Sequence, residues 1–305
     1  MLIRINCFIL IVLMLAISVS SQNRKQADDP VAKQHADVIQ TWQDLLEKDL
    51  AKATTFCTKC LSSPDKFIVA EGRKCLANVE LRGASTTVVD IPDKKRGGSI
   101  RAGYAGPGVD RALNHLNEGI AAAPDDISIH KGRLYILIAS NRFTELYRAL
   151  EQSIQIYTKP DALDNWLDYC GILHKSAHYE EVLEFTKILE KHYPTDHRPI
   201  ANVGVYLIEL ERYDEALPYL EKAVSLEPND PIDNWDLGYL YELTDKLPLA
   251  EKYYRKGISV EADKEQLEVK YCSFAKFLEV KRNLLAEACE LQKQHCPRSE
   301  WTACR

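Results

Sequence analysis

Cys57-Thr58-Lys59-Cys60 and, fifteen residues on, Cys75 are the residues whose types and spacing come closest to chemistry. A Cys-x-x-Cys pair has the spacing of a redox couple, a metal knuckle or a haem attachment. A redox couple calls for a strand–helix–strand setting, for which this stretch gives no sign. A haem site calls for His after Cys60, where Leu61 stands, and zinc calls for a fourth ligand beyond Cys75 with no Cys or His close by. A structural disulfide is the favoured reading, with thiol-active or metal-bound cysteines as the alternative. His174 and His178 are four apart, a helical metal spacing, but no third ligand is evident, and they read as solvated or groove-lining. Five glycines between 97 and 108 lack a Gly-Lys-Ser/Thr, so they read as a flexible surface loop with the solvated run Asp93-Lys94-Lys95-Arg96 beside it, not as a phosphate cradle. Gly-x-Ser-x-Gly, His-Glu-x-x-His and carboxylate pairs in an apolar setting do not occur. The expectation is a protein that is not an enzyme and takes no metal or cofactor.

The elements that would position any site must come from an ordinary globular composition: 46% hydrophobic, 28% charged, 13 Gly and 13 Pro among 305 residues. Lys+Arg 39 against Asp+Glu 45 leaves −6, so no basic surplus points to nucleic acid or an anionic membrane. Residues 1–21 read as a secretory signal peptide. Arg4 precedes the uncharged block Cys7–Val19, too short for a span of about 20 residues, and small Ser18, Ser20 and Ser21 follow. Cleavage before Ser21 or Gln22 would make the protein exported, periplasmic or secreted, without membrane insertion; the alternative is an uncleaved anchor. Cys7 leaves with the leader, and an oxidising compartment favours disulfides among the other eight cysteines.

Internal repetition then sets the architecture. Cys170, Gly204, Gly238 and Cys272 are each 34 residues apart, as are Val182, Ala216 and Ala250, while Pro194, Pro228 and Ala262 close successive units. With Leu237-Gly238, Tyr241, Ala250, Tyr254 and Gly257 in order, the unit resembles the tetratricopeptide repeat. That resemblance implies an all-α, right-handed α-solenoid of stacked antiparallel helix hairpins. It covers 108–296, with clean units 162–194, 196–228 and 230–262, although Asn234 stands where Trp is usual and Ala262 replaces the closing Pro. Before it, 22–82 reads as an N-terminal helical hairpin, with one long helix from Val31 to about Thr58 and a second starting at Ser63-Pro64-Asp65. The stretch 83–107 reads as a Gly-rich loop in which Thr86–Val89 has no second strand to join, and 297–305 is a Cys-containing tail.

In the family it resembles, the first helix of each repeat lines a concave surface that holds a protein or peptide segment. The i, i+4, i+7 positions here are Leu167, Gly171 and His174; Ala201, Val205 and Ile208; Trp235, Tyr239 and Glu242; and, before them, Lys131, Tyr135 and Ile138. The Lys and Asn that some members use to grip a C-terminal carboxylate are replaced here by Ala201, Val205, Trp235 and Tyr239, so an apolar guest is expected. The alternative is that Trp235 and Tyr239 are core residues, or are covered by the chain's own N-terminal helix. Disulfide candidates are Cys57 with Cys75, Cys272 level with Cys289, and Cys296 with Cys304 in the tail; Cys170 is expected as a buried thiol. The function implied is a protein-binding scaffold or adaptor.

Overall fold

The computed structural model describes residues 30–82, 84–91, 99–175, 178–297 and 302–304. The leader expected over 1–21 lies outside them. The chain divides into two compact units, one ending at Asp168 and the other starting at Tyr169. Among the described residues no helix is long and apolar enough to cross a membrane.

The first unit opens with α1 (Pro30–Lys48), α2 (Leu50–Cys60) and α3 (Lys66–Arg82). The single long helix expected from Val31 onward is broken at Asp49, whose extended backbone lets its carboxylate accept from Lys52 N at 3.0 Å and start a new helix. Three helices therefore occupy the range read as a hairpin. α1 and α2 both pack on α3, around Trp42, Leu46, Ala53 and Leu76. The loop expected over 83–107 is also corrected: β1 (Ser85–Ile91) pairs antiparallel with β2 (Ser99–Ala105), Ser85 opposite Ala105 and Ile91 opposite Ser99. Thr86–Val89 does have a strand to join, contributed by the glycine-containing stretch after it. Then come α4 (Pro107–Ala122), which packs along α3, α5 (Ile127–Ala139), α6 (Phe143–Ile156) and the first half of α7 (Ala162–Lys175).

The second unit continues with α8 (Tyr179–His192), α9 (His197–Glu209), α10 (Tyr213–Leu226), α11 (Pro231–Leu243), α12 (Leu247–Val260), α13 (Lys264–Val280) and α14 (Leu285–His295). Local chemistry punctuates them. Asp196, Asp230 and Asp263 are N-caps whose carboxylates accept from backbone N–H groups of the first turn. Glu211 and Asp245 sit at φ 61° and 57°, the left-handed residue that ends a helix. Around them Arg212 N donates to Leu207 O at 2.9 Å and Lys246 N to Tyr241 O at 2.8 Å, so the next helix turns back at once. Between paired helices the small slots have a steric cause. A Cβ on Gly204 would lie 2.6 Å from Leu220 Cγ, and one on Gly238 would lie 2.8 Å from Tyr254 Cδ1. The core is Phe185, Leu189, Ile200, Val203, Leu207, Leu220, Leu237 and Phe274, all almost fully buried.

Candidate functional site

α11 is the helix whose sequence departs most from a simple inside–outside division. Asp230 caps it, accepting from Ile232 N and Asp233 N, each at 2.8 Å. Leu237, Leu240 and Tyr241 go into the core. Ile232, Trp235, Tyr239 and Leu243 follow one another at spacings of three and four, which places them on one face. Ile232 is 61% exposed, Tyr239 44% and Leu243 38%; on α13, Val269 is 57% exposed. A row of large apolar side chains in water on one helix is the composition of an interface. The row rests on a fixed bed. The Trp235 ring lies 4.5 Å from that of Tyr254, and the Lys270 ammonium lies 5.9 Å from it. Tyr254 donates to Glu242 at 2.7 Å, and Lys270 donates to Glu261 at 2.6 Å and to the Pro231 carbonyl at 3.0 Å.

Carboxyls flank the row. Asp233 is buried and accepts from His197 Nδ1 at 2.7 Å, which ties α11 to α9. Burial pushes the Asp233 carboxyl up to about 6. Burial, with repulsion from Asp233 added, pushes that of Asp236 up to about 7. The ligand atoms of His197, Asp230 and Asp233 lie within 4.8 Å of one another, a spacing that would suit a cation. Two of the three groups are bonded to each other and the third caps α11, so the trio reads as a clasp.

Several of the residues expected to line a groove lie elsewhere in the structure. Ala201 at 4% and Ile208 at 6% exposure are core, as is Ile138, not groove wall. Leu167, Val205, Gly171 and Tyr135 are partly exposed. His174 packs between the rings of Tyr179 and Tyr206, each 5.7 Å away. Lys131 is bonded to Asn165 at 3.1 Å and Asp168 at 3.3 Å. Trp235 is neither a free surface ring nor a core residue: it is half-buried against Tyr254. Ile232, Leu243 and Val269 were missed. The signal was present, since Ile232 and Leu243 stand where the preceding repeat has Arg198 and Glu209.

Comparison with known proteins bears on the fold. The Tetratricopeptide repeat family model matches residues 198–230. The crystal structure of the C-terminal part of a TPR repeat-containing protein from Cytophaga hutchinsonii is 12% identical, covers 88% of this chain and 99% of its own, and gives a TM-score of 0.51. The fold is thus shared with a tetratricopeptide repeat protein, and the family model itself matches one unit, 198–230. PilF of Pseudomonas aeruginosa is 17% identical over 63% of this chain and 87% of its own, at a TM-score of 0.40. YrrB, described as a TPR protein with an unusual peptide-binding site, is 15% identical over 51% of this chain and 79% of its own, at 0.35. No curated protein matches the sequence.

Within the repeat frame the cysteines are fasteners. Cys57 is joined to Cys75, linking α2 to α3 in the first unit's core. In the last hairpin the bonds are Cys272–Cys296 and Cys289–Cys304, which replaces the expected level pair Cys272–Cys289 and the short tail loop Cys296–Cys304. The reason is that the tail folds back over the hairpin. Thr302 donates to Glu279 at 2.6 Å, Ala303 N to Gln292 at 3.0 Å, and His295 stacks on Tyr271 at 3.8 Å. Cys60 and Cys170 are buried thiols outside the three bonds. Burial, with Glu71 adding to it, pushes the Cys60 thiol up, away from the thiolate that redox chemistry needs. Cys170 lies 3.3 Å from the Thr186 hydroxyl.

Proposed function

We propose that this repeat protein is a non-enzymatic scaffold of an exported compartment, and that it holds a segment of a partner protein against α11. The observation that carries the reading is the row Ile232, Tyr239 and Leu243, exposed on a helix whose opposite side is core. Apolar side chains that ride on a rigid bed can desolvate a guest with little loss of their own freedom, which is how a few residues come to dominate binding. The carboxyls of Asp233 and Asp236 favour a guest with Lys or Arg beside its apolar anchor, because a cation there offsets the repulsion between them. The leader-like residues 1–21 and the three disulfides support the exported compartment.

The test is in-cell photo-crosslinking from position 239, followed by capture with a variant combining Ile232→Ser and Tyr239→Ala. Recovery of the crosslinked partner should fall tenfold or more, about 1.4 kcal/mol or above, while the melting temperature stays within about 2 °C. Undiminished recovery would remove α11 from the binding surface. N-terminal sequencing of native protein should begin near Ser21 or Gln22; an intact Met1 in the membrane fraction would remove the export reading.

A further inference from the structure

The slot that buries Val203 in α9 and Leu237 in α11 holds Arg133 in α5, only 7% exposed. Its guanidinium is surrounded by neutral acceptors. Nη2 donates to the Ala149 carbonyl at 2.8 Å and the Ser153 hydroxyl at 2.9 Å, and Nη1 donates to Asn117 at 3.2 Å and Gln152 at 3.3 Å. Nε is buried with no acceptor among the described residues. Burial lowers its pKa to about 10, which leaves the group charged at neutral pH. A buried cation normally keeps a carboxylate, since the charge left alone is costly. Two carboxylates line the same region, Asp110 and Glu145, but Arg142 holds both: Nη1 to Asp110 at 2.6 Å, Nε and Nη2 to Glu145 at 2.6 and 2.7 Å. The charge of Arg133 is thus met by dipoles alone.

Beside it, between α4 and α6, lies a cleft of about 200 Å³ lined by Asn114, Asn117, Arg133, Arg148 and Gln152 as well as the Arg142 cluster. Arg148 is exposed at this cleft. The cleft has room for several waters or one small anion. We propose that this cleft binds a small oxyanion, a carboxylate or phosphate group, between Arg133 and Arg148. The anion becomes the acceptor for Nη1, whose two present bonds are the longest of the four, and the side-chain amides of Asn114 and Asn117 can donate to its remaining oxygens. This site is separate from the α11 surface and does not depend on the scaffold reading.

The experiment uses the full chain and two probes, inorganic phosphate and succinate, titrated at ionic strength held constant with sodium chloride. The readouts are the melting temperature and the ¹⁵N–H resonance of Arg133 Nε. The expected result is a saturable rise in melting temperature and a saturable shift of that resonance, with Arg148→Ala weakening the apparent affinity fivefold or more. Gln152→Glu places an internal carboxylate against Nη1; it should raise the melting temperature without ligand and abolish the response. A response to one probe alone assigns the oxyanion as carboxylate or phosphate. A response equal in wild type, Arg148→Ala and Gln152→Glu, or no saturable response to either probe, overturns the site.

Discussion

The hairpins α5–α6 and α11–α12 begin and turn alike. Asp126 and Asp230 cap their first helices, and Asn141 at φ 56° and Asp245 at φ 57° turn the chain into their second. His130 Nε2 bonds the Pro124 carbonyl at 3.0 Å just as Asn234 bonds the Pro228 carbonyl at 3.1 Å, so Asn replaces the usual Trp by pinning the inter-repeat turn. Beyond that frame the two differ. In α5–α6 a polar cluster is set into the apolar interior: neutral His130, whose charged form burial disfavours, lies 3.0 Å from Ser153, and Ser153 in turn accepts from Arg133. In α11–α12 the matching slot holds apolar Leu237, the buried polar groups Asp233 and Asn234 stay in the first turn, and large apolar residues are on the outside. The lesson is that caps and turns hold a repeat in shape while leaving both its slot residues and its exposed face free to specialise.

The sharpest way to break the comparison is to exchange the slots. Leu237→Arg would bury a cation where Lys256 and Gly257 stand in place of Gln152 and Ser153 and only Glu221, in place of Asn117, could accept from it; it should cost about 3–5 kcal/mol in urea unfolding. A loss under about 1 kcal/mol would mean the polar shell around Arg133 is incidental. Next is the close approach of the paired helices. Gly238 faces Tyr254 where α5–α6 has Leu134 and Leu150. Gly238→Leu should cost about 2–3 kcal/mol, and adding Tyr254→Leu should recover at least half of it; no recovery would show that the two hairpins pack by different rules.

A smaller effect sharpens the difference in surface charge. Burial, with repulsion from Asp233 and Asp230 added and Lys270 opposing, raises the folded-state carboxyl of Asp236 to about 7, and burial raises that of Asp233 to about 6. The folded protein therefore holds more protons than the unfolded chain between about pH 4 and 7, and these groups lower stability as pH rises through that window. Asp236→Asn should stabilise the protein by about 1 kcal/mol at pH 8 and make no difference at pH 4. A pH-independent difference in thermal unfolding would contradict the raised carboxyl. The smallest effect concerns the shared turn. Asp245→Gly relieves a left-handed non-glycine residue and should add about 0.5 kcal/mol, with Asn141→Gly near zero because Asn tolerates that conformation better.

The frame was legible in the sequence to an unusual depth because its devices are local. The 34-residue spacing of Gly204 and Gly238, and the prolines that close the units, report backbone geometry that a few neighbouring residues determine between them. What failed was also local in origin: a helical pattern hid the break at Asp49, and the glycines between 97 and 108 hid β2, because a strand in a two-stranded hairpin needs no hydrophobic run of its own. The site was half legible. Spacing put Trp235 and Tyr239 on one face but could not tell that Ala201 and Ile208 turn into the core, since groove and core positions adjoin on the same helix and only packing against the next helix separates them.

The sequence by itself determined the repeat type, the pitch, the N-caps' residue types and which cysteines were available to pair. The tertiary structure alone decided the tail's disulfide partners, because they depend on the chain doubling back so that Thr302 reaches Glu279. It alone decided that Arg133 sits among neutral acceptors while Arg142 holds both carboxylates. Those pairings join residues far apart in sequence, and their energies depend on burial and on which acceptors lie within hydrogen-bond reach, quantities that exist only once the helices have packed.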